Sequence, residues 1–451
     1  MDRRRFLTLF GTAGAAMALP CPVLARSDFE VLPLRGSVSA VEYGVVPNAP
    51  RDQSAAFQSI MDRAASSGEP LFLPAGNYVI SDVQVPDGLT MSGVPNRTAL
   101  VLGAGSAVLR IEGKQTAQIS NLLFDGGAAR RTDALLIGRD VEQLQISGCT
   151  FRRSSADLIR LERVGGRIAG SRLKDGRRFA LFSVDGRGLD VTDNRVEACA
   201  DGGIIVHRSS IGRDGTRISG NRISRIGAAS GGTGQWGNGI NIYRSDDVIV
   251  SNNMIDNCAF SSIRANTARN IHITGNRCMA SGETAIYAEF SFENAIISDN
   301  LIVGGANGIS VTNFNEGGRG ATVSGNIIRD LSGTGPYPAM DPGFGIGIAV
   351  EADTSVTGNL IDGAPLYGIN AGWGPNLRDV VLQGNVIRNA NIGIGISRAS
   401  GVGDILVADN LIKARNGAIR SHRWTDVDGT DLARQPRNAP SHVTLSGNKT
   451  A

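Results

Sequence analysis

One six-residue pattern constrains this 451-residue chain more than any other feature: an apolar residue, Ser or Thr, a Gly, Asp or Asn, then Asn, any residue and an apolar residue. Its Asn falls on Asn194, Asn221, Asn253, Asn276, Asn300, Asn326, Asn359, Asn385, Asn410 and Asn448, with gaps of 27, 32, 23, 24, 26, 33, 26, 25 and 38 residues. Leu122, Cys149 and Ser171 hold the same place in degenerate earlier copies. A period of about 25 residues, with the surplus length confined to one part of each unit, marks a solenoid whose units bury their apolar sides only against neighbours. Leucine-rich repeats share the period but need several Leu at fixed offsets. These units instead alternate, as in Gly239-Ile240-Asn241-Ile242 and Gly368-Ile369-Asn370-Ala371, which is the period of a strand. The fold expected is therefore all-β: a single-stranded right-handed parallel β-helix of about a dozen coils over residues 71–451. Its Asn side chains would tolerate left-handed turns and stack into a hydrogen-bonded ladder.

The N-terminal part reads differently. Ser54 to Ala65 carries Phe57, Ile60, Met61 and Ala64 at helical spacing, with Asp52 or Ser54 as N-cap and Gly68 as terminator. One short helix, inside a cap over residues 26–70, is thus expected to cover the open edge of the first coil. Before it, Arg3-Arg4-Arg5-Phe6-Leu7, an apolar run from Leu9 to Leu19 and Val23-Leu24-Ala25 read as a cleavable twin-arginine export signal over residues 1–25. The run is too short for a permanent membrane anchor. Cleavage after Ala25 removes three Arg and one Asp and takes the net charge from +3 to +1, which leaves no electrostatic case for nucleic acid. Cys199 and Cys258 fall in one column two coils apart, ~9.6 Å at ~4.8 Å per coil. That is beyond disulfide reach, so free buried thiols are expected despite export.

Tyr43-Gly44-Val45, Asp52-Gln53-Ser54 opening the helix, and the turn Leu73-Pro74-Ala75-Gly76-Asn77-Tyr78 resemble the N-terminal cap of the pectate-lyase-like superfamily. With the arginine leader and the Ser-Gly-Asn repeats, the whole chain is similar to the twin-arginine-translocated repeat proteins. The resemblance implies the β-helix and no particular activity. The Asp trio and Gly-His-Gly of polygalacturonases and the Asp-Pro-His of mannuronan epimerases are absent.

Function must then come from a site. Coil by coil, the outward positions beside the recurrent Ile hold His207, then Asn241 and Tyr243, Arg264 and Asn266, Tyr287 and Glu289, the densest polar and aromatic patch in the chain. An exposed sheet face with such groups at ~4.8 Å steps suits an extended sugar polymer. Tyr243, Arg264, Tyr287 and Glu289 are the catalytic candidates; His207, Arg208, Asn241, Arg244, Asn266 and Trp373 are the substrate-binding ones. In β-elimination a Tyr or Arg would take the proton alpha to a carboxylate while Arg208, Arg244 or Arg264 stabilised the enolate. In hydrolysis Glu289 and Glu351, two coils apart, would flank the bond.

The expectation is an exported protein that acts on or binds an extracytoplasmic polysaccharide, uronate-containing, as a lyase before a hydrolase or epimerase. The alternative is a non-catalytic glycan-binding or envelope-structural solenoid. No metal or cofactor is expected. Asp426, Asp428 and Asp431 share a loop that could hold calcium, but a solvated loop is the better reading. Gly232-Thr-Gly234-Gln-Trp-Gly237 has a dinucleotide-binding spacing, yet a strand follows it where that motif needs a helix.

Overall fold

The computed structural model describes residues 36–127, 131–312 and 318–450, so the export signal expected at 1–25 lies outside the described residues. Strand alternation and stacking produce a right-handed parallel β-helix in which each coil lays strands on three faces. The first face carries Asn238–Asp246, Ile263–Asn266, Thr284–Glu289, Asn307–Thr312, Ile346–Val350 and Tyr367–Ala371, each paired in parallel with the next. The second carries Ile249–Ser251, His272–Thr274, Glu293–Ser298 and Arg319–Ser324. The third carries Met254–Cys258, Arg277–Ser281, Leu301–Val303 and Ile327–Arg329.

The third face is a continuous sheet of 15 strands. That exceeds the dozen coils expected because Gly76–Ile80 and Thr98–Leu102 belong to coils that precede the repeat pattern and leave no Asn in the sequence to count. The other two faces merge into one 28-stranded sheet. The merger occurs at early strands such as Asp157–Ala169, which pair with Phe179–Val184 along one half and Leu189–Thr192 along the other.

The core is one apolar column running from Val38 to Val443. Along the first face Ile240, Ile263, Ile286, Ile309, Ile348 and Ile369 stack in register, none more than 1% exposed. Each such burial is worth roughly 1.5–3 kcal/mol, and the column repeats it every coil.

The Asn ladder forms at the turn between the second and third faces. Oδ1 of Asn276 accepts from the backbone N–H of Asn253 and from its Nδ2, both at 3.0 Å, and Asn300 does the same for Asn276 at 2.9 and 3.1 Å. Each Nδ2 also donates to a carbonyl of the previous coil, Asn276 to Val250 at 3.0 Å. Where Asn is missing the ladder adapts: Ser171 Oγ accepts from the Cys149 N–H at 3.1 Å, and Ser171 N–H donates to Asn194 Oδ1 at 2.9 Å. The left-handed residue is not the ladder Asn, as expected, but the one before it, for example Asn252 at φ 57° and Gly275 at φ 67°. The hexapeptide's third position supplies the turn and its fourth the ladder, which is why the two have different residue preferences.

Helix α1 spans Ser54–Ser67 and buries Phe57, Ile60, Met61 and Ala64 against the first coils; Gly68 ends it at φ 70°. Neither expected residue is the N-cap. Gln53 holds that position, and Asp52 accepts from the Ser54 N–H at 2.8 Å one residue further in. Cys149, Cys199, Cys258 and Cys278 are free and buried, and burial pushes the Cys199 thiol up to about 12.

Candidate functional site

The pairing register puts the sequence-derived residues on the first face in two columns. Asn241, Arg264 and Tyr287 follow one another and lead to Ser310; His207, Tyr243, Asn266 and Glu289 follow one another and lead to Thr312. Val311 pairs with Val350, so Glu351 stands one coil beyond Thr312, in the column of Glu289. Alternation along each strand decides this placement and the insertions do not disturb it.

The face is not the open surface expected from its polarity. Ile205, at an outward position, is fully buried, and Asn241, Arg264 and Glu289 are 3%, 8% and 2% exposed. Segment 227–237 lies over them: Asn241 Nδ2 donates to the Gly234 carbonyl at 3.1 Å, and Trp236 stacks on Phe179 with ring centroids 5.6 Å apart. Asn241 therefore anchors the roof. The glycines that resemble a dinucleotide motif belong to this loop.

Beneath it Arg264 is held by two carboxylates. Its Nε and Nη2 donate to Glu289 Oε1 and Oε2 at 2.7 and 3.0 Å, and Nη1 lies 3.5 Å from Glu283 Oε2. Burial alone lowers the Arg264 guanidinium, but the charge and hydrogen bonds of Glu289, and then the charge of Glu283, hold it above its ordinary value. Asn266 Nδ2 donates to Glu289 at 2.9 Å, and the guanidinium lies 4.8 Å from the Tyr287 ring centroid. Glu283 also ties down two insertions, accepting from Thr233 Oγ1 at 2.6 Å and from the Tyr337 hydroxyl at 2.5 Å. Burial pushes the Tyr287 phenol up, and the neighbouring Glu283 charge adds to it. Sequence reasoning missed Glu283 and Tyr337. Glu283 has the parity of Tyr287 and Glu289 and was findable by extending the alternation into the preceding turn, whereas no local signal marks Tyr337.

Next to this cluster a cleft of about 330 Å³ opens between the first face and the segment around Tyr337–Phe344. Tyr287, Tyr337, Phe344 and Trp373 line it together with Asn307, Ser310, Asn370 and Glu351. Trp373 packs against His422 and edge-on to Trp424, with centroids 5.9 and 5.6 Å away. Buried His422 hydrogen-bonds Asn370 at 2.9 Å, and its imidazole is pushed down to about 4 by burial. Of the ten site residues read from sequence, only Tyr287 and Trp373 reach the cleft.

Asn241, Arg264, Asn266 and Glu289 belong to the roofed cluster, and His207, Arg208, Tyr243 and Arg244 lie on its N-terminal side. His207 sits edge-on between Phe182 and Tyr243, and burial pushes it down to about 4. Arg244 donates to the Ser209 carbonyl at 3.2 Å and lies 4.8 Å from the Tyr243 ring centroid. Arg208 lines a separate cavity with Arg163, Arg187 and Arg213. In the C-terminal loop Asp431 accepts from the N–H groups of Ala418, Ile419 and Ala433, and Asp428 from Arg398. No helix among the described residues is long and apolar enough to cross a membrane.

Two family models match parts of the chain: the periplasmic copper-binding protein (NosD) over residues 227–428 and the rhamnogalacturonase A/epimerase, pectate lyase-like family over residues 37–165. Among the described residues no three His, Cys, Asp or Glu side chains converge to hold a metal ion. A comparison with curated protein sequences finds no match. Among solved structures, the N-terminal fragment of bacteriophage Phi29 gene product 12 aligns at TM-score 0.53 and 14% identity, covering 92% of this chain and 70% of that one. The pre-mature form of that phage protein aligns at 0.51 and 14%, covering 92% and 56%. Identities this low speak to fold alone. The two family matches fall on separate stretches of one solenoid and, together with that architecture, support the pectate-lyase-like β-helix superfamily.

Proposed function

We propose that the protein is exported and binds an extracytoplasmic polysaccharide in the cleft beside Tyr337–Phe344. The observation that carries this reading is the lining of the cleft: four aromatic rings alongside the amides of Asn307 and Asn370 and the hydroxyl of Ser310. Aromatic rings stack on the C–H faces of sugars while fixed amides and hydroxyls take their hydroxyl groups. The solenoid axis advances ~4.8 Å per coil, so a polymer lying along it meets a repeated surface. The arginine leader and the periplasmic description of the family matched over residues 227–428 support the location. Titrating the intact protein with a panel of soluble oligosaccharides, and following tryptophan fluorescence, tests the reading. At least one should quench, and Trp373→Ala should weaken its binding about tenfold or more, as loss of a central aromatic contact does. Unchanged affinity in that variant refutes the cleft as the site.

A second reading, a lyase ahead of a hydrolase or epimerase, is favoured by one feature: Arg264 and Glu289 lie directly behind Tyr287 at the edge of the cleft. In this reading Tyr243, Arg264, Tyr287 and Glu289 carry the chemistry, with His207, Arg208, Asn241, Arg244, Asn266 and Trp373 as the binding set. The chain's own chemistry asks much of it. Arg264 is already neutralised by carboxylates, and the raised Tyr287 phenol stays protonated, suited to donate a proton rather than take one. New unsaturated ends or reducing ends on incubation, abolished by Tyr287→Phe with binding retained, would make it an enzyme; binding without either product makes it a binder.

A further inference from the structure

On the third face the pairing register stacks the first residue of successive strands into one outward column: Arg172 on Arg195 on Arg222, then Met254, then Arg277. All four arginines are exposed. Arg195 pairs with Glu197 on its own strand, but the side chains of Arg172, Arg222 and Arg277 make no hydrogen bond or ion pair among the described residues. Like charges that face each other on neighbouring strands destabilise a sheet. Elsewhere the same solenoid sets opposite charges across from each other: Arg217 faces Asp190 on the second face and Arg388 faces Asp362 on the third, both pairs at 2.9 Å. The seven strands of the third face from Leu123–Asp125 to Arg277–Ser281 hold eight basic side chains and four acidic ones, a surplus larger than the +3 of the whole sequence.

A column of cations at ~4.8 Å steps repels itself until anions lie along it. The stripe is one residue wide. The outward column beside it runs Lys174, Glu197, Ser224, Asp256 and Met279 and carries both signs. A stripe this narrow suits a linear polyanion laid along the axis, whereas a membrane surface calls for a broad basic face. Between Arg222 and Arg277, Met254 is 43% exposed and borders a shallow pocket of about 160 Å³ with Met279 and Ser224, an apolar seat for the C–H face of a sugar between two guanidinium groups. We propose that this column is a docking ladder for a linear acidic polysaccharide, one with a carboxylate or sulfate on each sugar, whose anions Arg172, Arg195, Arg222 and Arg277 receive in turn. The ladder lies on a different face from the cleft beside Tyr337–Phe344 and stands whether or not that cleft takes a sugar.

The test is the fluorescence anisotropy of end-labelled oligogalacturonate, and separately of labelled dextran sulfate, titrated with the intact protein. At least one of the two should bind, and more weakly as salt is raised. The protein carrying both Arg172→Gln and Arg222→Gln should bind it about tenfold or more weakly. Both positions are exposed and neither side chain has a partner to lose, so the fold is kept. Arg213→Gln with Arg437→Gln removes two exposed charges from outside the third face and should leave affinity close to that of the parent. Equal losses in the two double variants, or no loss at Arg172 and Arg222, would overturn the ladder. So would binding of neither probe. Vesicles of anionic phospholipid that compete as well as the unlabelled polymer would also overturn it, by assigning the stripe to a membrane surface.

Discussion

Replacing Asn276 by Leu probes the ladder that holds the coils in register. In the folded chain Asn276 Oδ1 is the acceptor for the backbone N–H of Asn253, and its Nδ2 donates to Val250 and Asn300. Leu keeps the branching and heavy-atom count of Asn and is larger, so no cavity opens and the loss of polar partners sets the minimum cost. The Asn253 amide loses its acceptor at a site 1% exposed, which costs about 1–3 kcal/mol. Asn253 Nδ2 keeps the Ile218 carbonyl at 3.0 Å, and Asn300 Oδ1 keeps the backbone N–H of residue 276, so the damage stays within two rungs. Adding the lost Nδ2 bonds brings the total to about 2–4 kcal/mol. Asn276→Ser should cost roughly half as much, because Ser171 shows that a hydroxyl can accept the same amide. Urea unfolding gives the answer as a lowered midpoint at unchanged slope. A change below about 0.5 kcal/mol for the Leu variant would show that these bonds are not what holds the turn and would refute the reasoning.

Three further outcomes are expected. Arg264→Ala strands Glu283 and Glu289 in a buried site and should destabilise by about 3–5 kcal/mol, partly restored by adding Glu289→Gln; a loss under about 1 kcal/mol would mean that water already solvates the cluster. His207 and His422 are both pushed down to about 4, below the ~6.5 of an unfolded His, so the unfolded chain binds more protons between those values. Their contribution is complete above about pH 6.5 and is lost as pH falls toward about 4, by roughly 1–3 kcal/mol each; a urea midpoint that stays flat across that window would contradict it. Phe57→Ala empties the buried contact of α1 with Tyr78, 5.6 Å away, and should cost about 3–5 kcal/mol in thermal unfolding, with a much smaller loss showing that the cap folds independently of the coils.

How far each feature could be read from sequence follows from the distance over which its contacts are encoded. In a β-helix every coil touches its neighbours at an offset of one repeat, so a period of two along the strand and of about 25 along the chain already specifies the pairing. That is why the stacking of Tyr243 on Asn266 on Glu289, the burial of the Ile column, the free thiols and the helix ended by Gly68 were all legible. The insertion before Glu351 left its register open in the sequence, and the pairing of Val311 with Val350 decided it. What local logic could not reach was the roof. Tyr337 and Thr233 meet on Glu283 across 54 and 50 residues, through loops with no period, and only their docking turns an apparently open polar face into a buried ion-pair cluster beside a cleft. Repeating contacts are written into the chain unit by unit; contacts made once, between irregular segments, exist only when the whole solenoid has brought their ends together.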